Sequence, residues 1–381
     1  MNNLESRLAK FLEYREEQQQ IRERFSLESS QSDQIEIDGQ SFINFSSNDY
    51  LGLANNLSTI QLIKEQIDQL GIGSGASHLV CGHHKIHEIL EKKLAAYLAR
   101  DSAVTFSTGY MANLAILQSL AKKGDLIIAD KLNHASLIDG ANLSLADAVR
   151  YSHCDLEALE SRLKKQATQK WVVTDSVFSM DGDIAPLDKI AGLCQKYDAF
   201  LIVDDAHGVG VIGDTGRGAA EYFGLTQKEL PVLMGTFGKS LGGFGAFVSG
   251  HKNLTDYLIQ FARPYVYTTA LPAVIAAANL HNLSLIEQDF SYRHRLLENI
   301  EYFKQLCSQK KLSVLPSTTG IQAVMINDTA KLLKLNQRLK NAGLLVGAIR
   351  PPTVAKNSDR LRVTISAAHS RNQIEKLVSC L

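Results

Sequence analysis

The chain has 381 residues, of which 45% are hydrophobic and 21% charged, a balance that supports a large buried core and argues against disorder. That length is more than one compact domain usually holds, so two or so lobes are expected. Lysine plus arginine and aspartate plus glutamate each number 40, which leaves no broad basic field to hold nucleic acid or an anionic membrane.

Anionic ligands must therefore be bound by local groups. Met1 to Glu17 is charge-rich and lacks an apolar core segment, so no signal peptide is expected there. No apolar run reaches the ~18 residues that a membrane span requires. The five cysteines are odd in number and form no CxxC pair, which fits a reduced, cytosolic protein.

In chain order, Leu4, Leu8, Phe11, Leu12 and Phe25 recur at helical spacing, which predicts an amphipathic arm helix over roughly the first 27 residues. Ile35–Ile37 and Phe42–Phe45 flank the turn dipeptide Asp38-Gly39, a hairpin signal. Arm and hairpin make up residues 1–45. From about residue 57, helical stretches alternate with apolar runs at Ala103–Ser107, Leu126–Ala129, Trp171–Thr174, Phe200–Val203, Val232–Met234 and Ala246–Ser249. The runs do not alternate with polar residues, so strands buried on both faces are expected, in a mostly parallel sheet covered by helices. This large α/β unit is placed at residues 46–284. Ile321–Ile326, Leu344–Ile349 and Leu361–Ser366, with helices at Ala330–Asn341 and Arg371–Ser379, read as a smaller α+β domain over residues 285–381.

Functional groups of a parallel sheet gather beyond the carboxyl ends of its strands. The run Phe200–Val203 leads into Asp204-Asp205-Ala206-His207-Gly208; two buried carboxylates there need partners, and either a cap or metal pair, or an anion facing a cationic ring nitrogen, would supply one. Val232–Met234 leads into Gly235-Thr236-Phe237-Gly238-Lys239. The spacing is not that of a phosphate loop, because Leu233 stands where the motif needs glycine. A lysine among glycines that admit a flat ligand can lose its proton and attack a carbonyl; an ordinary solvated lysine is the plain alternative. Thr108-Gly109-Tyr110 opens a helix after a strand and offers free N–H groups to a phosphate. Asn133-His134-Ala135-Ser136 could bring a flat imidazole to a ligand ring or could simply cap a helix. Ser179, after Trp171–Thr174, could donate to a ligand oxygen. Gly71-Ile72-Gly73-Ser74-Gly75 lacks dinucleotide-binding spacing, and Cys81-Gly82-His83-His84-Lys85-Ile86-His87 has metal-like residue types but no matching second half, so no metal is assigned.

Together these segments, with Ser46-Ser47-Asn48-Asp49-Tyr50-Leu51-Gly52-Leu53 and Gly216-Arg217-Gly218, resemble the α-oxoamine synthase family from Arg22 to about His369. The resemblance implies an aspartate-aminotransferase-like fold, pyridoxal 5′-phosphate as cofactor and a homodimer. It implies that Lys239 forms the Schiff base, that Asp204 faces the pyridine nitrogen, and that His207 meets the ring hydroxyl. His134 would stack on the ring and donate a proton; Ser179, Thr236, Gly109 and Tyr110 would complete the contacts, and Thr268 would reach the phosphate from a second subunit. Ile349-Arg350-Pro351-Pro352-Thr353-Val354 and Arg360-Leu361-Arg362-Val363-Thr364 most resemble the branch that condenses L-alanine with a pimeloyl thioester of coenzyme A or acyl carrier protein and releases carbon dioxide. In that branch Arg362 and Asn48 would hold the amino-acid carboxylate, and Arg22 and Thr353 the acyl chain. A glycine-using branch and an inactive partner subunit are the alternatives; the latter would be expected to lack Lys239.

Overall fold

The apolar runs between residues 102 and 250 pair into one sheet because each can bury both of its faces. The computed structural model describes residues 3–18, 20–22 and 24–381. Its strands are β1 (Gln34–Ile37), β2 (Gln40–Phe45), β3 (Ser102–Phe106), β4 (Leu126–Asp130), β5 (Asp147–Tyr151) and β6 (Lys170–Asp175). They continue as β7 (Ala199–Asp204), β8 (Val232–Thr236), β9 (Ala246–Gly250), β10 (Ile321–Met325), β11 (Leu344–Ile349) and β12 (Arg360–Thr364). The large sheet runs β3-β9-β8-β7-β6-β4-β5. β9 is antiparallel to both neighbours and every other pairing is parallel, so the sheet is mostly parallel as expected.

Successive residues of each run go to opposite faces. Ile128, Val172, Leu201, Val203 and Leu233 join a core with helices Lys85–Tyr97 and Leu187–Lys196. Ile127, Val173, Ile202, Val232 and Met234 join a second core with helices Gly109–Leu120 and Lys252–Phe261. The sequence shows no strand at β5 because it is an edge strand, and only Tyr151 in it is buried.

The smaller sheet runs β1-β2-β11-β12-β10. Its one parallel pairing sets Ile43 of β2 beside Leu344 of β11, so the hairpin near the amino terminus is a structural part of the C-terminal sheet. Local pattern cannot reveal a pairing across that sequence separation. The arm helix spans Leu4–Glu17 and stops short of the predicted extent. None of its residues is buried, and Leu27 bridges to Ile37, which draws the preceding segment out of helix toward the sheet. No helix among the described residues is long and apolar enough to cross a membrane.

The two sheets are tied where the site forms. Ser366 Oγ donates to the Asp49 carbonyl at 2.8 Å, Ala367 N to Tyr50 O at 2.8 Å, and Ser317 Oγ to Gly182 O at 2.9 Å.

Close packing under β8 gives a stability test. A Cβ on Gly235 would lie 2.4 Å from the buried Phe247 ring, whereas one on the exposed helical Gly192 meets nothing within 4 Å. Gly235→Ala should destabilise the protein by about 1–3 kcal/mol through overpacking, and Gly192→Ala should stabilise it by about 0.4–1 kcal/mol, both read by denaturant unfolding.

Candidate active site

The carboxyl ends of β4, β6, β7 and β8 open on one side of the large sheet, and the loops that leave them converge on Lys239. A cavity of about 200 Å³ is lined by Gly109, Tyr110, His134, Ser179, Asp204, His207, Thr236 and Lys239, which are eight of the predicted site residues. Asn113, Ser136 and Asp175 also face it, and the sequence reading missed these three. Asp175 was within reach, since it ends a buried strand as Asp204 does.

Lys239 is buried, and burial pulls its amine down to about 8 even though the charges of Asp204 and Asp175 work to raise it. A neutral fraction far above that of a solvated lysine makes it a nucleophile and a base. The adjacent aspartates divide the work. Asp204 Oδ2 accepts from Asn113 Nδ2 at 2.7 Å and Oδ1 from Ala206 N at 3.0 Å, and the residue lines the cavity. Asp205 accepts from Ser176 Oγ at 2.5 Å and Ala219 N at 2.8 Å. It holds the loop after β7, and a Cβ on Gly208 or Gly218 would lie 1.9 Å or 2.1 Å from its carboxylate oxygens. Asp175 is pushed well up by burial and by Asp204, and its Oδ2 accepts from His134 N at 2.7 Å.

His134 has both roles raised by its sequence. It caps helix Ala135–Leu143 and faces the cavity. Ser136 Oγ accepts from Asn113 Nδ2 at 2.8 Å and therefore donates its own proton to His134 Nδ1, 2.7 Å away. Burial keeps the imidazole neutral, so its proton sits on Nε2. His207 is likewise held neutral by burial, with Nδ1 2.6 Å from Tyr50 Oη.

Arg362 reaches over from β12. Its Nε donates to Ser179 O at 2.5 Å and its Nη2 to Asn48 Oδ1 at 3.0 Å, so the predicted carboxylate pair is in contact. Thr353 and Arg22 line neighbouring cavities. Thr268 is absent from the wall of the Lys239 cavity and sits half-buried beside exposed Tyr267.

The residues fit pyridoxal phosphate. Thr236 Oγ1 is buried without a partner, and Gly109 starts the helix beside it, where an added Cβ would lie 2.8 Å from the Thr236 methyl. A phosphate would be received by that hydroxyl and the N–H groups of the first helical turn. Asp204 supplies an anion for a ring nitrogen, and Lys239 an amine for the carbonyl.

Two measurements probe this cavity. In cofactor-free protein, the rate of Lys239 acetylation by acetic anhydride, followed by peptide mapping, should inflect near pH 8, because burial disfavours the charged amine; an inflection above pH ~10, where solvated lysines titrate, would contradict it. Asn113→Ala takes one hydrogen bond from each of Asp204 and Ser136 and should cost about 1–3 kcal/mol of stability as well as turnover.

A profile of the family described as aminotransferase class I and II matches residues 40–381. The 8-amino-7-oxononanoate synthase of Hydrogenovibrio crunogenus is 48% identical over 384 aligned residues, spanning 100% of this chain and 96% of its own. The solved serine palmitoyltransferase of Sphingomonas wittichii superposes with a TM-score of 0.94 at 31% identity, covering 99% of this chain and 97% of its own. SPT structures have been solved with PLP. The solved 8-amino-7-oxononanoate synthase of Francisella tularensis gives 0.79 at 34% identity, over 89% and 96%. The chain belongs to the class I and II aminotransferase family, with the aminotransferase-like fold and pyridoxal 5′-phosphate as its cofactor.

Proposed function

We propose that this chain is an 8-amino-7-oxononanoate synthase of biotin biosynthesis, joining L-alanine to a pimeloyl thioester. The observation that carries this reading is a series of three adjoining cavities. The Lys239 cavity shares Ser179 with a chamber of about 420 Å³, whose wall includes Leu132, Ile138, Phe178, Met180 and Val354. That chamber shares Thr353 with a third cavity of about 170 Å³, whose described wall contains Arg15, Arg22 and Arg350 and no carboxylate. Reactive amine, partly apolar passage and cationic end match an acyl thioester with a distal carboxylate. Asp181, which also faces the chamber, is ion-paired with Arg360 and so does not oppose an anionic chain.

When bound, the cofactor supplies an electron sink for negative charge at the alanine Cα. Arg362 and Asn48 hold the alanine carboxylate, and Lys239 takes the α-proton. The Cα–acyl bond forms as the C–S bond breaks and the thiol leaves. The carboxylate then departs as carbon dioxide, and a proton returned to Cα closes the balance. His134 Nε2–H is the donor that steadies charge on the acyl oxygen, and Asp204 holds the ring-nitrogen proton. Exposed Tyr110, Thr268 away from its own cavity and the unburied Leu4, Leu8, Phe11 and Leu12 of the arm helix support a homodimer with composite sites.

Borohydride should fix the cofactor on Lys239, as found by peptide mapping, and a label on another lysine would overturn that role. Asp204→Asn should retain cofactor but lose most turnover, since an amide cannot balance a protonated ring nitrogen. Pimeloyl thioester with L-alanine should give the highest kcat/KM in a panel of acyl thioesters. Arg22→Ala should lower it roughly 10- to 100-fold, as expected for a charge-assisted bond of about 1.5–3 kcal/mol. A chain-matched acyl thioester without the distal carboxylate should be nearly indifferent to that substitution; equal losses would make Arg22 structural. A preference for glycine with an acetyl thioester would reject the proposed substrate pair.

A further inference from the structure

We propose that His78, His83 and His87 form a binding site for one divalent transition-metal cation of the zinc class. The Cys81–His87 stretch alone lacks a second half in sequence. The fold brings in His78, the first residue of a π-helical turn His78–Gly82, against His83 after that turn and His87 in the first turn of helix Lys85–Tyr97.

The three ring centroids form a nearly equilateral triangle with sides of 5.1, 5.1 and 5.3 Å. One nitrogen from each ring lies within 4.8 Å of the other two. His78 Nδ1 and His83 Nδ1 are 2.8 Å apart. A single proton joins two such lone pairs in the metal-free chain, and a cation can take its place. His87 Nε2 lies 2.6 Å from the Leu271 carbonyl, which fixes the proton on Nε2 and leaves Nδ1 as a lone-pair donor. The same Nδ1 accepts from His84 N at 2.9 Å, so a cation would displace one neutral hydrogen bond, a weak competitor for an imidazole–metal bond.

His78 is buried, at 9% exposure. Its ring lies flat on Tyr265, at 5.0 Å and 8°, so its direction is set by packing. Three imidazoles without a hard oxygen ligand favour zinc, copper, nickel or cobalt over magnesium or calcium, and the fourth position is left to water.

The cation would brace a structural junction. Ala270 N donates to Ala76 O at 3.0 Å and Ser77 bridges to Thr269, so the π-turn is stitched to the segment that carries Thr268.

The test is isothermal titration of chelator-dialysed holoenzyme with zinc chloride, checked by elemental analysis. One zinc per chain should bind with a dissociation constant on the order of a micromolar or below. His83→Ala and His78→Ala should each weaken it roughly 100-fold or more, while Cys81→Ser leaves it unchanged and magnesium chloride gives no heat. If His78→Ala fails to fold, the half-buried His83 carries the test alone, with retained cofactor absorbance showing that the fold is intact. Zinc uptake unaffected by His83→Ala, uptake abolished by Cys81→Ser, or no saturable uptake at all would each overturn the proposal.

Discussion

The site depends on one electrostatic compromise, a lysine amine buried beside two aspartates. Burial alone would drive the Lys239 amine further toward neutrality; Asp204 and Asp175 pull it back. The amine is therefore poised instead of silenced, which a nucleophile that must later act as a base requires. The sheet makes this possible. Parallel strands send their loops out at one edge, so an acid from β6, an acid from β7 and a lysine beyond β8 meet without long excursions. The small sheet then brings Arg362 onto the Ser179 carbonyl at the cavity wall.

The hydrogen-bond chain around Asp204 gives the compromise its direction. Asn113 donates to both Asp204 and Ser136, Ser136 must then donate to His134, and the neutral His134 keeps its proton on the far nitrogen. Each tautomer follows from the one before it. Asn113 Oδ1 is buried with no partner, but the bonds its amide nitrogen donates link the others, so the residues act as a unit. Asp205 stands outside it and serves the backbone, which explains how two adjacent acids can be tolerated at a buried strand end.

Much of this was legible in the sequence, for identifiable reasons. The six apolar runs from Ala103 to Ser249 were readable because burial on both faces removes polar alternation. Lys239, Asp204 and His134 were readable because they directly follow such runs. What escaped is non-local. The pairing of β2 with β11 joins segments distant in the chain, and β5 is too polar to read as a strand. Asn113 sits inside a helix as an ordinary-looking amide, and only the fold reveals that its side chain meets Asp204. His78 was invisible as a partner of His83 and His87 because a π-turn, not a regular helix, sets their spacing. The arm helix was over-extended because periodicity cannot register the bridge from Leu27 to Ile37.

The central claim is a decarboxylative carbon–carbon bond formation in which alanine loses its carboxylate only after it has taken the acyl group. It is tested most directly by incubating holoenzyme with L-alanine labelled with carbon-13 at the carboxyl carbon and pimeloyl-coenzyme A, while counting labelled carbon dioxide and free thiol together. The account predicts equal amounts of the two and negligible labelled carbon dioxide when the thioester is omitted. Thiol release without labelled carbon dioxide, or labelled carbon dioxide from alanine alone, would contradict it.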